Sequence, residues 1–141
     1  MQHVTGRLPK KPRAQLVEEI TAAVDVWIDR GYGGEYPRTD FAGAFGSFTT
    51  GARTRAEADR NLLTNAGVGE RIDGVEMTAR AVRLDVLAPG GRPAAVTAHV
   101  HVGMQFGGEV TRRDRVLGAL YLTRESGEWK VFGYDLKRGR V

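Results

Sequence analysis

From Ala14 onward the apolar residues Leu16, Val17, Ile20, Ala23, Val24, Trp27 and Ile28 recur at steps of three and four. That spacing puts them on one face of an amphipathic helix. Pro12 suits the helix's first turn, where an amide hydrogen would go unused, and Gly31 suits its C-terminal stop. The opposite face, with Glu18, Glu19, Asp25 and Asp29, is solvated. Residues 1–13 hold Arg7, Lys10, Lys11 and Arg13 with two prolines and little apolar content. They predict a basic exposed arm ahead of a single domain over residues 14–141. The glycines and Pro37 between Gly31 and Arg38 make a connection. Asp40 can cap a short helix that carries Phe41, Ala44, Phe45 and Phe48 on one side, and Thr49 or Thr50 a third helix from Ala52 to about Asn65. In that third helix Ala56, Leu62 and Leu63 are the core candidates.

After Gly74 the period drops to two, the mark of strands. Val82, Leu84 and Val86 alternate with Arg83 and Asp85. Pro89-Gly90-Gly91-Arg92-Pro93 turns the chain, and Val96, Ala98, Val100, Val102, Met104 and Phe106 follow in alternation. Antiparallel pairing of Val86 with Val96, Leu84 with Ala98 and Val82 with Val100 keeps the apolar sets on one face; a slip of one residue would mix faces. That register sets Arg83 beside His99 and Asp85 beside Thr97. Earlier in this strand Val75, Met77, Ala79 and Ala81 are odd-numbered whereas Val82 onward is even, which predicts a bulge near Arg80 to Val82. Arg115 to Arg124 is a third long strand, and Ser126-Gly127 a two-residue hairpin turn. A regular hairpin from that turn pairs Leu122 with Val131, Tyr121 with Phe132, Leu120 with Gly133 and Leu117 with Leu136, and sets Asp135 opposite Gly118. Tyr121, Phe132, Tyr134, Leu117 and Leu136 then form one apolar face, and Leu120, Leu122 and Val131 the other. An antiparallel sheet with both faces apolar needs cover on both, and a second copy of the chain supplies the outer one.

Composition narrows the function classes. Apolar residues are 41% and charged residues 27%, as in ordinary globular domains. Cysteine is absent, so no disulfide, thiolate nucleophile or thiolate metal site enters. The longest apolar stretches reach about a dozen residues, short of the roughly 20 that span a bilayer. Glu18, Glu19 and Asp25 interrupt any signal-peptide core after the basic start. The compartment expected by default is the cytoplasm, the other reading being an extracytoplasmic domain anchored by a segment outside this chain. The formal charge of +4 raises nucleic acid as a partner. Its spread over both termini and several loops argues against one. His99 and His101 project together about 7 Å apart, but the only other histidine, His3, lies in the arm, so no metal site is expected. No P-loop, dinucleotide or zinc-protease fingerprint is present, and no cofactor is expected.

Helices followed by a bent antiparallel sheet that ends in Gly127-Glu128-Trp129-Lys130-Val131-Phe132-Gly133-Tyr134-Asp135-Leu136 resemble the nuclear-transport-factor-2-like (SnoaL-like, cystatin-like cone) superfamily. The resemblance runs from about Ala14 to Lys137. It is also similar to the soluble Mce-associated domains of that fold. It implies an α+β cone: N-terminal helices packed on a bent antiparallel sheet of four or more strands. The hairpin often inserted between the second and third helices is absent or reduced here. Enzymes of this superfamily hold a carboxylate inside the cone, which points to Asp135 as acid or base beside Tyr134 and Tyr121. An epoxide-hydrolase-like set of Arg83, Asp85 and Asp135 has the right residue types, but its charged strand face is turned from the apolar one. Trp27, Tyr32, Tyr36, Phe41 and Phe45 are the residues expected to line a cavity for a small apolar ligand.

Two functions compete at this level. The first is a non-catalytic binding or scaffolding module, dimeric through its sheet, reached because the helices place few acids or bases toward the core. The second is a cofactor-free isomerase, cyclase or hydrolase acting on a small apolar substrate in the cone cavity through Asp135. Whether Asp135 lies inside or outside decides between them.

Overall fold

The computed structural model describes residues 2–141. In chain order the elements are β1 (Gln2–Gly6), α1 (Lys10–Gly31), a 3-10 turn (Ala42–Phe45), α2 (Thr50–Ala58), α3 (Arg60–Leu63), β2 (Ile72–Ala88), β3 (Ala95–Gly108), β4 (Arg113–Glu125) and β5 (Glu128–Arg140). The strands form one five-stranded sheet in the order β1-β2-β3-β4-β5. The protein is α+β, as expected, but its sheet is mixed. Strands β2 to β5 form an antiparallel meander, and β1 adds parallel to β2. A parallel neighbour requires a long crossover, and here all three α-helices lie within it.

That added strand corrects the reading of residues 1–13 as an exposed arm. Its backbone pairs with β2 from Gln2 against Leu84 to Gly6 against Ala88, and Leu8 is buried. The side chains of His3, Thr5 and Arg7 remain exposed. The physical reason is edge protection: β2 would otherwise present an open row of backbone donors and acceptors. Helix α1 also starts earlier than expected, at Lys10, with Pro12 still in its first turn. Its buried face is Leu16, Ile20, Ala23, Val24, Trp27 and Ile28, with Val17 packed at the margin. No helix among the described residues is long and apolar enough to cross a membrane.

Between α1 and the sheet the local chemistry follows the residue types. The Asp40 carboxylate accepts from the Ala42 amide at 3.0 Å, and the turn it starts buries Ala44 and Phe45, with Phe48 just beyond. Thr49 caps α2 by accepting from the Ala52 amide at 3.2 Å. The expected single helix to Asn65 is broken at Asp59, whose backbone leaves helical geometry (φ −102°, ψ 22°) and separates α2 from α3. Ala52, Ala56 and Leu63 are buried there and Leu62 only partly.

In the sheet, β2 and β3 pair as the alternation requires, Arg83 with His99 and Asp85 with Thr97. The parity change in β2 does reflect a bulge, at Thr78 rather than at Arg80 to Val82: Met77 faces Met104 and Ala79 faces Gly103. Gly103 is what admits it, because a Cβ there would stand 2.7 Å from the Thr78 hydroxyl. Ser126 and Gly127 both have positive φ, 53° and 83°, the geometry that suits a two-residue hairpin between twisted strands. A second bulge follows it. Leu122 still pairs with Val131, but Tyr121 pairs with Gly133, leaving Phe132 as the extra residue. From there the hairpin is one residue off the regular register: Leu120 faces Tyr134, Ala119 faces Asp135, Gly118 faces Leu136 and Leu117 faces Lys137.

Helices α1 to α3 and the 3-10 turn cover one face of the sheet. The inner residues Val96, Ala98, Val102, Met104, Phe106, Leu120 and Leu122 are all buried against them. At the far edge the segment around Phe48 bridges β5, with the Thr49 amide donating to the Val131 carbonyl at 2.9 Å and the Val131 amide to the Ser47 carbonyl at 2.8 Å.

Candidate functional site

Strand alternation, shifted by the bulge at Phe132, separates the three residues expected to work together. Asp135 is exposed on the outer face, opposite Ala119. Tyr121 stands on that same face, its ring 6.4 Å from Phe132. Tyr134 is on the inner face, 7% exposed, and its hydroxyl donates to Asp59 Oδ2 at 2.6 Å. Burial and then the Asp59 carboxylate push the Tyr134 hydroxyl well above its ordinary pKa, so it serves as a fixed donor. It ties β5 to the α2–α3 junction. Tyr134→Phe should lose that one bond and about 1.5–3 kcal/mol of stability, the range for a hydrogen bond to a charged group; urea denaturation at neutral pH measures it.

Gly118, expected to leave room beside Asp135, leaves none: a Cβ on it would strike the backbone of Asp135 and Leu136. Arg83, Asp85 and Asp135 do not assemble either. Asp85 is held by Arg83 at 3.1 Å and by His99 at 2.8 Å on the outer face. Arg83 and Asp135 lie three strands apart in one cross-strand row, Arg83-His99-Ala119-Asp135, which at about 4.8 Å per strand is roughly 14 Å. They cannot share a water. Among the described residues no group of three or more His, Cys, Asp or Glu side chains is placed to hold a metal ion.

The aromatic group fills space more than it lines it. Trp27 and Tyr32 are fully buried and meet edge to face at 5.4 Å. The Trp27 indole N–H donates to the Leu63 carbonyl at 2.9 Å and the Tyr32 hydroxyl to the Leu62 carbonyl at 2.8 Å, so both polar handles are used on the end of α3. Tyr36, half-buried, donates to the Tyr32 carbonyl at 2.8 Å. Phe45 packs on Phe48, and Phe41 lies under the Arg38 guanidinium at 4.2 Å. Phe41 and Phe45 reach the floor of a surface cleft beside Asp40, Glu57 and Arg60.

Where an inner carboxylate does occur, it is Asp114, one residue before the strand expected from Arg115 to Arg124. It opens β4 on the inner face, opposite Met104, and is 3% exposed. Arg112 grips it through Nε at 2.8 Å and a terminal nitrogen at 3.2 Å, and Arg138 donates to it from Nε at 3.0 Å. Arg138 also donates to the carbonyls of Asn61 (3.3 Å) and Thr64 (2.8 Å) and to Asn65 Oδ1 (2.8 Å). It thus satisfies carbonyls that the end of α3 would leave open. Asn65 in turn donates to the Tyr32 carbonyl at 3.1 Å and the Tyr36 hydroxyl at 3.2 Å. Burial alone would raise the Asp114 pKa, but the hydrogen bonds and charges of Arg112 and Arg138 outweigh it and hold the carboxyl below its ordinary range. A carboxylate so held has no proton to give and little basicity. Its role is to lock the sheet end to the end of α3.

The outer face is the other unusual surface. Of the large apolar side chains left exposed, Leu87 (48%), Leu117 (37%) and Phe132 (50%) all stand on it. Tyr121 and Ala119 lie between the last two; Thr97, His99 and His101 flank them on β3, and Asp135 and Lys137 on β5. This face is less apolar than the regular hairpin register implies, because the Phe132 bulge turns Tyr134 and Leu136 inward. Compared with protein-family models, curated proteins and solved structures, the chain matches none.

Proposed function

We propose that the protein is a non-catalytic scaffolding module of the NTF2-like cone type that pairs with a second copy of itself through the outer face of its sheet. The observation that carries this is the apolar stripe of Leu117, Ala119, Tyr121 and Phe132, bordered on the same face by charges of both signs. A two-fold axis lying in the interface along β4 lays Leu117, Ala119 and Tyr121 over the same residues of the other copy and brings His99 over Asp135 of the partner subunit, reciprocally, as an isologous contact requires. Four strands of about 13 residues give a face on the order of 800 Å², the size of one side of a standard stable interface. Two placements support the non-catalytic half of the reading: Asp135 is exposed on the outer face, and Asp114 is held between two arginines.

Light scattering at micromolar concentration should return the mass of a dimer. Phe132→Glu should return a monomer with an unchanged far-ultraviolet circular dichroism spectrum, because a half-exposed side chain can become charged without entering the core. Wild-type protein that runs as a monomer ends the proposal.

A further inference from the structure

We propose that the cleft between the loop after α3 and the paired ends of β4 and β5 binds a small phosphate-bearing molecule. Its volume is about 520 Å³, within the roughly 300–1,000 Å³ typical of small-molecule sites. Leu62 and Val68 give it an apolar wall, and Arg71, Arg112, Arg138 and Arg140 stand around it with a single carboxylate, Asp114. Four guanidinium groups against one carboxylate leave three positive charges uncompensated. Strand pairing produces the convergence: Arg140 sits opposite Asp114 and Arg138 opposite Val116, so both arginines fall on the inner side of the sheet at its open end.

The four arginines are committed to different degrees. Arg138 spends Nε and both terminal nitrogens on Asp114, Asn61, Thr64 and Asn65, and is structural. Arg112 gives Nε and one terminal nitrogen to Asp114, which leaves its other terminal nitrogen to face a ligand. Arg71 makes one long bond, to the Gly67 carbonyl at 3.3 Å. Arg140 lies on the rim, and the ion pairs at this end of the sheet join Asp114 to Arg112 and Arg138 only. Planar guanidinium groups with paired N–H donors match the oxygens of phosphate. Three uncompensated charges suit a dianion better than a single carboxylate. The concavity and the apolar wall favour a small organic phosphate over a nucleic-acid backbone, which is met by basic residues strung along a stripe. The site is independent of the sheet face proposed for pairing.

Isothermal titration with inorganic pyrophosphate and with phenyl phosphate, at low salt, tests this. Arg71 and Arg140 are both exposed, so Arg71→Ala combined with Arg140→Ala leaves the core untouched. Arg53→Ala combined with Arg92→Ala removes the same charge from exposed positions away from the cleft. The expected result is saturable binding to the wild type with Kd below about 1 mM. The cleft variant should weaken it at least about tenfold while the remote variant leaves it unchanged, and binding should weaken as salt is raised. No saturable binding of either phosphate, an equal loss in both variants, or binding of a single-stranded oligonucleotide alone would each overturn the proposal.

Discussion

Arg138→Met should cost the domain about 3–5 kcal/mol, the range for breaking a buried ion pair by removing one partner. The side chain is 13% exposed and Asp114 3%, so the carboxylate left behind keeps only Arg112. The carbonyls of Asn61 and Thr64 and the amide oxygen of Asn65 lose their donor at the same time. Urea denaturation at pH 7 measures the loss. A second variant separates charge from packing: Asp114→Leu combined with Arg138→Met removes both charges, and a buried pair exchanged for apolar residues of similar volume is often neutral or better. The double variant should therefore be more stable than Arg138→Met alone. A loss below about 1 kcal/mol for the single variant would mean that Asp114 is solvated, contrary to its burial.

The same pair fixes a pH dependence. The folded pKa of Asp114 is depressed, below an unfolded value of about 3.9. The stabilisation is therefore fully present above the unfolded value and is lost as pH falls through the folded one. Asp114→Asn should abolish that part of the acid sensitivity. A wild type and an Asp114→Asn variant whose stabilities fall in parallel between pH 5 and pH 2 would assign acid unfolding to other carboxylates.

The helical half of the chain and the β2–β3 register were legible because their apolar positions are numerous and regular. Seven positions of α1 agree on one face, and a slip of one residue between β2 and β3 would invert every side chain of a one-sided apolar set. Strand β1 left no such trace: Gln2 to Gly6 carries one large apolar residue, Val4, and its pairing is a matter of backbone supply at a bare edge. The inner ion pair was hidden for a different reason. In β5 the apolar positions change from odd, Trp129 and Val131, to even, Tyr134 and Leu136, the same parity change that betrays the bulge in β2. With Phe132 taken as the extra residue, Arg138 falls on the inner face and Asp114 opposite Arg140. Without it, Asp135 comes to face Gly118 and the hairpin acquires an apolar outer face that the protein does not have in full. One unrecognised bulge thus accounts for the misplaced catalytic candidate, the overestimated outer patch and the missed inner position of Arg138.

Gly118→Ala tests that register directly and should be among the most damaging single substitutions in the protein. Gly118 lies in the middle of β4 with φ +144°, a conformation that L side chains rarely adopt. An added Cβ would collide with the Asp135 carbonyl and stand 2.9 Å from the Leu136 Cα. Both obstacles are backbone of the paired strand, so no rotamer change relieves the contact. Backbone strain of about 1–3 kcal/mol adds to overpacking of about 1–3 kcal/mol, giving an expected loss on the order of 2–6 kcal/mol in urea denaturation. Gly139→Ala is the control on the same strand pair. Nothing lies within 4 Å of its Cβ position, so it should change stability by no more than about 0.5 kcal/mol. In the regular register, by contrast, Gly118 faces Asp135 with open space beside it, and alanine there would be tolerated. A Gly118→Ala protein within about 1 kcal/mol of the wild type would therefore remove the Phe132 bulge, and with it the placement of Arg138 on the inner face.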